Sequence, residues 1–164
     1  MSSISLVTGM ITVSAILAMP AAAVAQETTG RYATHDGTST VQEMPDGSRV
    51  QIDHYSQISF AADQSHPLDN KSADCMGRSH ISAAGALLSG SGTCTSFDAD
   101  GNTASFWWRI DKIDTPDCAG ACGAWGYYAG TGKFKGIKGS GTFHRDTMFP
   151  NGSSGTWKGV ASVD

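Results

Sequence analysis

The chain has 164 residues, with 15 acidic against 11 basic side chains and a formal net charge of −4. This mild acidity argues against nucleic acid as a partner, because nucleic-acid binding needs a clustered basic surface. The composition is rich in glycine, serine and threonine and contains no long helix-forming run. It therefore argues against a helical class and predicts a single all-β domain.

Residues 1–25 have the features of an export signal. An apolar run ends at Met19, and small residues follow it up to Ala25. Ala23 and Ala25 form the A-x-A pattern of a signal-peptidase site, and the run is shorter than the roughly 20 residues that span a membrane. We therefore predict an exported protein, periplasmic or secreted, whose mature domain (residues 26–164) does not insert into the membrane after cleavage. An uncleaved N-terminal anchor is the alternative.

The four cysteines fit an oxidising compartment in which they form two disulfides. Cys75 and Cys94 flank a candidate hairpin, whereas Cys118 and Cys122 bracket Ala-Gly-Ala, so we predict the pairs 75–94 and 118–122. The alternative is a metal site that combines Cys118 and Cys122 with a histidine. The C-x-x-x-C spacing is not the usual one for zinc, and export favours oxidation, so no metal is expected.

In chain order, the mature part is predicted to begin with a polar arm over residues 26–37. A first strand covers residues 38–44, and a Pro-Asp-Gly turn ends it. The clearest alternation follows, with one face made of Val50, Ile52, His54, Ser56, Ile58 and Phe60. The other face is made of Gln51, Asp53, Tyr55, Gln57 and Ser59. Because the first set is the apolar one, we expect it to point inward and to carry His54 into the interior.

Loops are predicted at residues 61–70 and 113–123, the second closed by the 118–122 disulfide. Further strands are predicted at residues 75–82, 91–97, 103–111, 124–129, 142–145 and 156–163. In the strand over 103–111 both faces carry a tryptophan, so alternation does not decide which face is inside. We favour Phe106, Trp108 and Ile110 inward, which leaves Arg109 outside. Short strands joined by glycine, aspartate and proline turns predict an antiparallel barrel or sandwich, and a barrel is favoured because closure removes exposed strand edges.

The stretch between these last strands reads Gly-Thr-Gly-Lys-Phe-Lys-Gly-Ile-Lys-Gly. It resembles the G-[ST]-G-x-[FY]-x-x-x-x-G segment of the allene oxide cyclase and dirigent-protein barrel superfamily, which secreted bacterial proteins of similar size also carry. The matching positions are Gly130, Thr131, Gly132, Phe134 and Gly139. The resemblance implies a calycin-like antiparallel barrel of about eight strands around an apolar cavity. In plant members that cavity directs cofactor-free cyclisation or coupling of a small hydrophobic molecule, and the segment itself shapes a barrel corner.

The candidate site residues are those that the barrel would place inside. His54 is the candidate catalytic residue, because an imidazole is a general acid or base near neutral pH, and a hydrogen-bonded core histidine is the alternative. Phe60, Trp108 and Tyr127 are predicted to line the ligand cavity. Arg109 would bind a carboxylate or enolate if its face were inward, the alternative being a surface ion pair.

These features predict an exported barrel that binds a small hydrophobic or aromatic molecule without a cofactor. One alternative is a cofactor-free cyclase, isomerase or coupling-directing enzyme that acts in the same cavity. A second is a secreted structural or interaction protein whose core is filled. The volume and the polar lining of the cavity distinguish the three, because a filled core leaves no room for a ligand.

Overall fold

The computed structural model describes residues 26–64, 66 and 69–163. Eight antiparallel strands pair in sequence order, and the last pairs with the first to close a barrel. The strands are β1 (Gln26–Glu43), β2 (Arg49–Ala61), β3 (Lys71–Ile81), β4 (Leu87–Phe97), β5 (Thr103–Thr115), β6 (Cys118–Gly130), β7 (Lys138–Phe149) and β8 (Gly152–Ser162). The predicted all-β antiparallel barrel is confirmed. The predicted signal peptide, residues 1–25, lies outside the described residues.

Two segments that were predicted to be irregular are strands. Residues 26–37, expected as a polar arm, form the first part of β1 and pair with β8. Residues 113–123, expected as a long loop, contain the end of β5, a turn at residues 116–117 and the start of β6. These segments are polar or glycine-rich, so they show no hydrophobic alternation from which a strand could be predicted. They are strands because their backbone groups form hydrogen bonds with the neighbouring strand.

No helix in the described part of the chain is long and apolar enough to cross a membrane.

Both predicted disulfides are confirmed. Cys75 and Cys94 are direct partners in the register of β3 and β4, and their side chains lie in the barrel interior. Cys118 and Cys122 form the second bridge, at the start of β6. No described cysteine is free, as expected in an oxidising compartment.

The orientation predicted for β2 is wrong. Tyr55 and Ser59 face the interior, whereas His54 is exposed and Phe60 has 49% of its surface exposed. The strand register accounts for this, because Tyr55 pairs with Cys75 and shares its interior layer. Alternation sorts residues into two faces, but it names the inner one only where the interior is apolar, and here the inner face of β2 is largely polar.

The large interior rings are accommodated by glycines that lie one or two strands away. A Cβ on Gly77 or on Gly92 would stand 2.7 Å from Cζ2 of Trp108, and one on Gly159 would stand 2.5 Å from Cζ2 of Trp125. Further pairs of this kind are Tyr32 with Gly155, Phe143 with Gly123 and Trp157 with Gly30. Carbon atoms do not approach so closely, so the missing side chains make the room that the rings occupy.

The glycine-rich segment closes one end of the barrel. A 3-10 turn over Gly132–Phe134 follows β6, and Phe134 and Ile137, each 5% exposed, form a small buried cluster with Ala104. Gly132 has a φ of +54°, a left-handed backbone that glycine adopts without a steric penalty. The segment is therefore a barrel corner, as the family resemblance implies.

Asp98 ties this corner to the turn between β4 and β5. Its carboxylate accepts hydrogen bonds from the backbone N–H groups of Asp100 and Asn102, and Nζ of Lys133 lies 2.6 Å from it. The Asp98 side chain is only 7% exposed. The hydrogen bond from Lys133, followed by those from Asn102, holds the pKa of Asp98 below its usual range.

We expect Asp98→Asn to lower the free energy of unfolding at neutral pH and to lose this effect as the pH falls below about 4. The lowered pKa means that folded Asp98 holds its proton less tightly than the unfolded chain does. Its stabilising contribution is therefore present above the unfolded pKa and is lost on acidification. Urea unfolding of both proteins over this pH range measures the difference. Asp100→Asn is the control, because Asp100 lies 4.0 Å from Lys133, and a pH-independent difference for Asp98→Asn would contradict the assignment.

A double-mutant cycle tests the pairing of rings with glycines. We expect Gly77→Ala to cost about 1–3 kcal/mol of stability by overpacking against Trp108. In a Trp108→Phe background the cost should fall by at least about 0.5 kcal/mol, because phenylalanine lacks the ring atoms that the new methyl group meets. Gly85→Ala is the control, since a Cβ there meets nothing within 4 Å and the strain of its left-handed backbone, with a φ of +83°, should cost the same in both backgrounds. Additive costs for Gly77→Ala would show that the ring does not require the glycine.

Candidate functional site

The barrel encloses a cavity of about 380 Å³, which is within the size range of small-molecule sites. Phe106, Trp125 and Trp157 form its base, and the turns around Gly85 and Gly152 lie at its mouth. The base separates the cavity from the closed end of the barrel. A purely structural protein was expected to have a filled core, and the barrel interior with this cavity is not filled.

Aromatic rings form the middle wall of the cavity. Phe143 stands edge-to-face with Trp108, with 6.5 Å between ring centroids, and edge-to-face with Tyr32 at 6.4 Å. In the base, Trp125 and Trp157 meet at 6.0 Å and nearly at right angles. Edge-to-face contacts are favourable beyond the area they bury, and they hold each ring in one orientation. The wall is therefore formed before any ligand is present.

Asp53 places a carboxylate on the cavity wall. It lies on the inner face of β2, accepts a hydrogen bond from Nε2 of Gln51 at 2.8 Å and is also bonded by the hydroxyl of Ser39. Ser39 is its direct partner on β1, so the two strands bring this pair together. A carboxylate held by neighbouring donors in a cavity is a positioned hydrogen-bond acceptor and a possible proton carrier.

Arg145 places a cation on the same wall. It follows Phe143 by two positions on β7, which gives both side chains the same inward direction, and both line the cavity. Within the described part of the chain, the guanidinium forms no ion pair or hydrogen bond. Arginine stays charged at all relevant pH values. The cavity therefore carries a half-buried positive charge that forms no ion pair with a described carboxylate, although Asp36 and Asp53 also line the cavity.

Two buried phenols complete the lining. Burial raises the pKa of Tyr32, against the opposing effect of the nearby Arg145 cation, and burial also raises the pKa of Tyr55. Both hydroxyls therefore remain protonated at neutral pH and act as hydrogen-bond donors rather than as bases. The Tyr55 hydroxyl contacts Sγ of Cys94 at 3.9 Å. That of Tyr32 bonds to no described residue.

The residues that were predicted from the sequence to form one site lie in different places in the structure. Trp108 lines the cavity, together with Phe106 and Ile110 of the same strand, so the inward orientation predicted for β5 is confirmed. Tyr127 lies behind the base, where its ring packs on Phe106 at a centroid distance of 6.0 Å, and it does not line the cavity.

The other predicted site residues lie on the outer surface. His54 and Phe60 belong to the outward face of β2, so the inward placement predicted for them is wrong. Arg109 forms the surface ion pair that was its alternative, with Nε 2.8 Å from Asp111, and it stacks over the ring of Trp107.

The lining residues that sequence reasoning missed are Asp53, Tyr55, Tyr32 and Arg145. Asp53 and Tyr55 were identified as one face of β2, but that face was assigned to solvent. Tyr32 fell in the segment predicted as an arm. Arg145 lies two residues after Phe143 on the same strand, so the two side chains point to the same side of the sheet. This spacing predicts an inward Arg145 only once Phe143 is known to point inward.

Comparisons with known proteins support the fold assignment. No protein-family model and no curated protein matches the chain. Among solved structures, the chain is similar to a pterocarpan synthase dirigent protein, with a TM-score of 0.50 and 14% identity over 93% of this chain and 100% of the other. At this identity the similarity concerns the fold alone. It shows a dirigent-like β-barrel, which confirms the resemblance proposed from the glycine-rich segment.

We expect Arg145→Met to leave the melting temperature unchanged or to raise it, by the equivalent of up to about 1 kcal/mol. A half-buried cation that forms no ion pair is unfavourable for folding, and methionine replaces its aliphatic part. Calorimetry measures the change, and Arg109→Met on the outer surface is the matched control. A clear loss of stability in Arg145→Met alone would mean that Arg145 supports the fold rather than a ligand.

Proposed function

We propose that the protein binds a small aromatic molecule that carries an anionic group in the barrel cavity. The observation that carries the proposal is the guanidinium of Arg145, which forms no ion pair or hydrogen bond among the described residues and lies in the same lining as Phe143 and Trp108. An anionic ligand would give it a direct partner, because guanidinium binds carboxylates and phenolates through charge-assisted hydrogen bonds. The surrounding rings would hold the apolar body of the ligand.

The apolar and the charged groups of the cavity lie in different places, which matches a ligand with an aromatic end and an anionic end. Trp125 and Trp157 at the base offer apolar surface, whereas the charged groups on the wall are Arg145, Asp53 and Asp36. A ligand would therefore enter with its aromatic end first and leave its anionic group near Arg145. The Tyr32 hydroxyl, protonated and without a partner among the described residues, can donate a further hydrogen bond.

The fold similarity supports a role with small molecules. The dirigent protein that shares this barrel is described as a pterocarpan synthase, and barrels of about eight strands hold one small ligand in their interior. The likeness does not select a substrate for this chain. The chemistry of the lining is what favours an aromatic anion.

Two fluorescent probes with similar rings and different charge test the proposal. We expect the wild-type protein to bind anilinonaphthalene sulfonate, which is anionic, more tightly than the neutral phenylnaphthylamine. Arg145→Met should weaken the anionic probe about tenfold, as expected for the loss of a charge-assisted hydrogen bond, and leave the neutral probe unchanged. Trp108→Ala should weaken both, and Arg109→Met neither.

Near-ultraviolet circular dichroism must show native packing in each variant, because the sulfonate probe also binds partly unfolded states. Equal weakening by Arg145→Met and Arg109→Met would contradict the proposal, since only Arg145 lines the cavity. Mass spectrometry of molecules that co-purify with the natively produced protein gives an independent answer. Recovery of aliphatic or cationic molecules alone would overturn the ligand class.

A second function, a cofactor-free cyclase, isomerase or coupling-directing enzyme, is favoured by Asp53. Its carboxylate lines the same cavity and is positioned by Ser39 and Gln51, so it can donate or accept a proton from a bound molecule. It takes the role that was predicted for His54, whose side chain is outside. Arg145 would stabilise negative charge that develops on the substrate.

Asp53→Asn distinguishes the carrier from the enzyme. The amide keeps the size of the side chain but cannot exchange a proton, so an enzyme would retain binding and lose turnover. We expect mass spectrometry to find the same molecule bound to wild type and variant if the protein is a carrier. An unconverted precursor found only in the variant would establish the enzyme. Asp36→Asn, at another carboxylate of the lining, shows whether the effect belongs to Asp53.

We also propose that the protein acts outside the cytoplasm, as the A-x-A pattern and the two disulfides favour. Intact-mass analysis of the natively produced protein should give a chain that begins at Gln26. A chain that retains Met1 would contradict cleavage at this site.

A further inference from the structure

A second group of reactive side chains lies on the outer wall of the barrel, apart from the cavity. Cys122 and His144 are direct partners in the register of β6 and β7. The two Sγ atoms of Cys118 and Cys122 and one ring nitrogen of His144 all lie within 4.8 Å of one another. His144 points outward, because its neighbour Phe143 lines the interior. The cluster is therefore independent of the ligand cavity.

The orientation of His144 is set by a carboxylate. Its Nδ1 lies 2.6 Å from Oδ1 of Asp146, and its Nε2 contacts the backbone carbonyl of Ala119, inside the disulfide loop. A carboxylate on one ring nitrogen fixes the direction of the other and makes it a better ligand, an arrangement typical of metal-binding histidines. Nε2, the ring nitrogen that Asp146 does not contact, is therefore directed at the segment between the two cysteines.

We propose that the reduced form of this cysteine pair binds a zinc ion, with Cys118, Cys122 and His144 as ligands and Asp146 as the residue that positions His144. A donor set of two thiolates and one imidazole matches zinc, which prefers sulfur and nitrogen ligands in a tetrahedral arrangement. Water or the Ala119 carbonyl would take the fourth position. The oxidised form, with the sulfurs joined to each other, has no thiolates and does not bind the ion.

The reaction is a dithiol–disulfide exchange followed by metal binding. An external dithiol reductant transfers two electrons and two protons, so the bond between Cys118 and Cys122 breaks, two thiols form and the reductant becomes a disulfide. The zinc ion then displaces the two thiol protons and binds the thiolates, and it replaces the proton through which Nε2 of His144 contacts the Ala119 carbonyl. The site thus alternates between a covalent bridge and a metal bridge at the same turn of the barrel.

Access to the cluster is open on one side. Cys118 is buried, but Cys122 and His144 are half-buried and border a surface hollow with the carboxylates of Asp111 and Asp117. The hollow gives a reductant a route to the Cys122 sulfur.

The other disulfide has different surroundings. Cys75 and Cys94 are 4% and 1% exposed and lie in the barrel core. Among the described residues, only Cys118, Cys122 and His144 form a group of three or more metal-binding side chains. We expect Cys118–Cys122 to open first in a mild reductant, because the other bridge is enclosed.

Cobalt(II), a spectroscopic substitute for zinc, tests the proposal on the mature chain. After mild phosphine reduction, we expect one equivalent of Co²⁺ to produce a thiolate-to-metal charge-transfer band that Zn²⁺ abolishes. The oxidised protein should give no band. Alkylation and peptide mapping identify which cysteines were reduced. If both bridges open, Cys118→Ser/Cys122→Ser assigns the band, since it should be lost only when this pair is replaced.

Variants of the third ligand complete the test. His144→Ala should weaken Co²⁺ binding by tenfold or more, and Asp146→Asn should weaken it less. His80→Ala is the matched control, because His80 is bonded to Ser48 on another part of the surface. The absence of a thiolate band in the reduced wild-type protein would overturn the proposal. So would a band of unchanged affinity in folded His144→Ala, since the histidine would then not be a ligand.

Discussion

The barrel depends on the fit of large interior rings over glycines that lie one or two strands away. Trp108 covers Gly77 and Gly92, and Trp125 covers Gly159, at distances that exclude a methyl group. A barrel of this size is narrow, and several tryptophans and tyrosines fit inside only if the wall they lie against carries no side chain at their height. The high glycine content is therefore a packing requirement of the aromatic interior, and it is distributed along the strands as well as in the turns.

This packing also explains why a cavity remains. Rings that lie against the wall leave space along the barrel axis, and the edge-to-face contacts of Phe143 keep them there. The opposite end is filled by Phe134 and Ile137 of the glycine-rich corner. The same wall that stabilises the fold is thus the apolar surface of the site, while Arg145, Asp53 and Asp36 give the cavity its charged groups.

The two disulfides are chemically identical bonds that lie in different environments. Cys75–Cys94 joins adjacent strands inside the core, where no histidine joins it among the described residues. Cys118–Cys122 lies at a turn on the outer wall beside His144 and Asp146. An enclosed bridge restricts the unfolded chain and is protected from exchange, whereas a bridge at an open turn with an oriented imidazole has the surroundings of a reactive site.

The amino-acid sequence by itself determined the all-β class, the barrel corner between Gly130 and Gly139, both disulfide pairs and the two faces of β5, although not which of those faces is inside. Each of these depends on local spacing or on apolar alternation, which a chain shows directly. Only the tertiary structure decided which face of β2 is inside, and with it the roles of His54 and Asp53. The reason is physical: alternation predicts burial when the interior is apolar, but the mouth of a ligand cavity is lined by polar groups. Its inward side chains therefore look like surface residues until strand pairing closes the barrel.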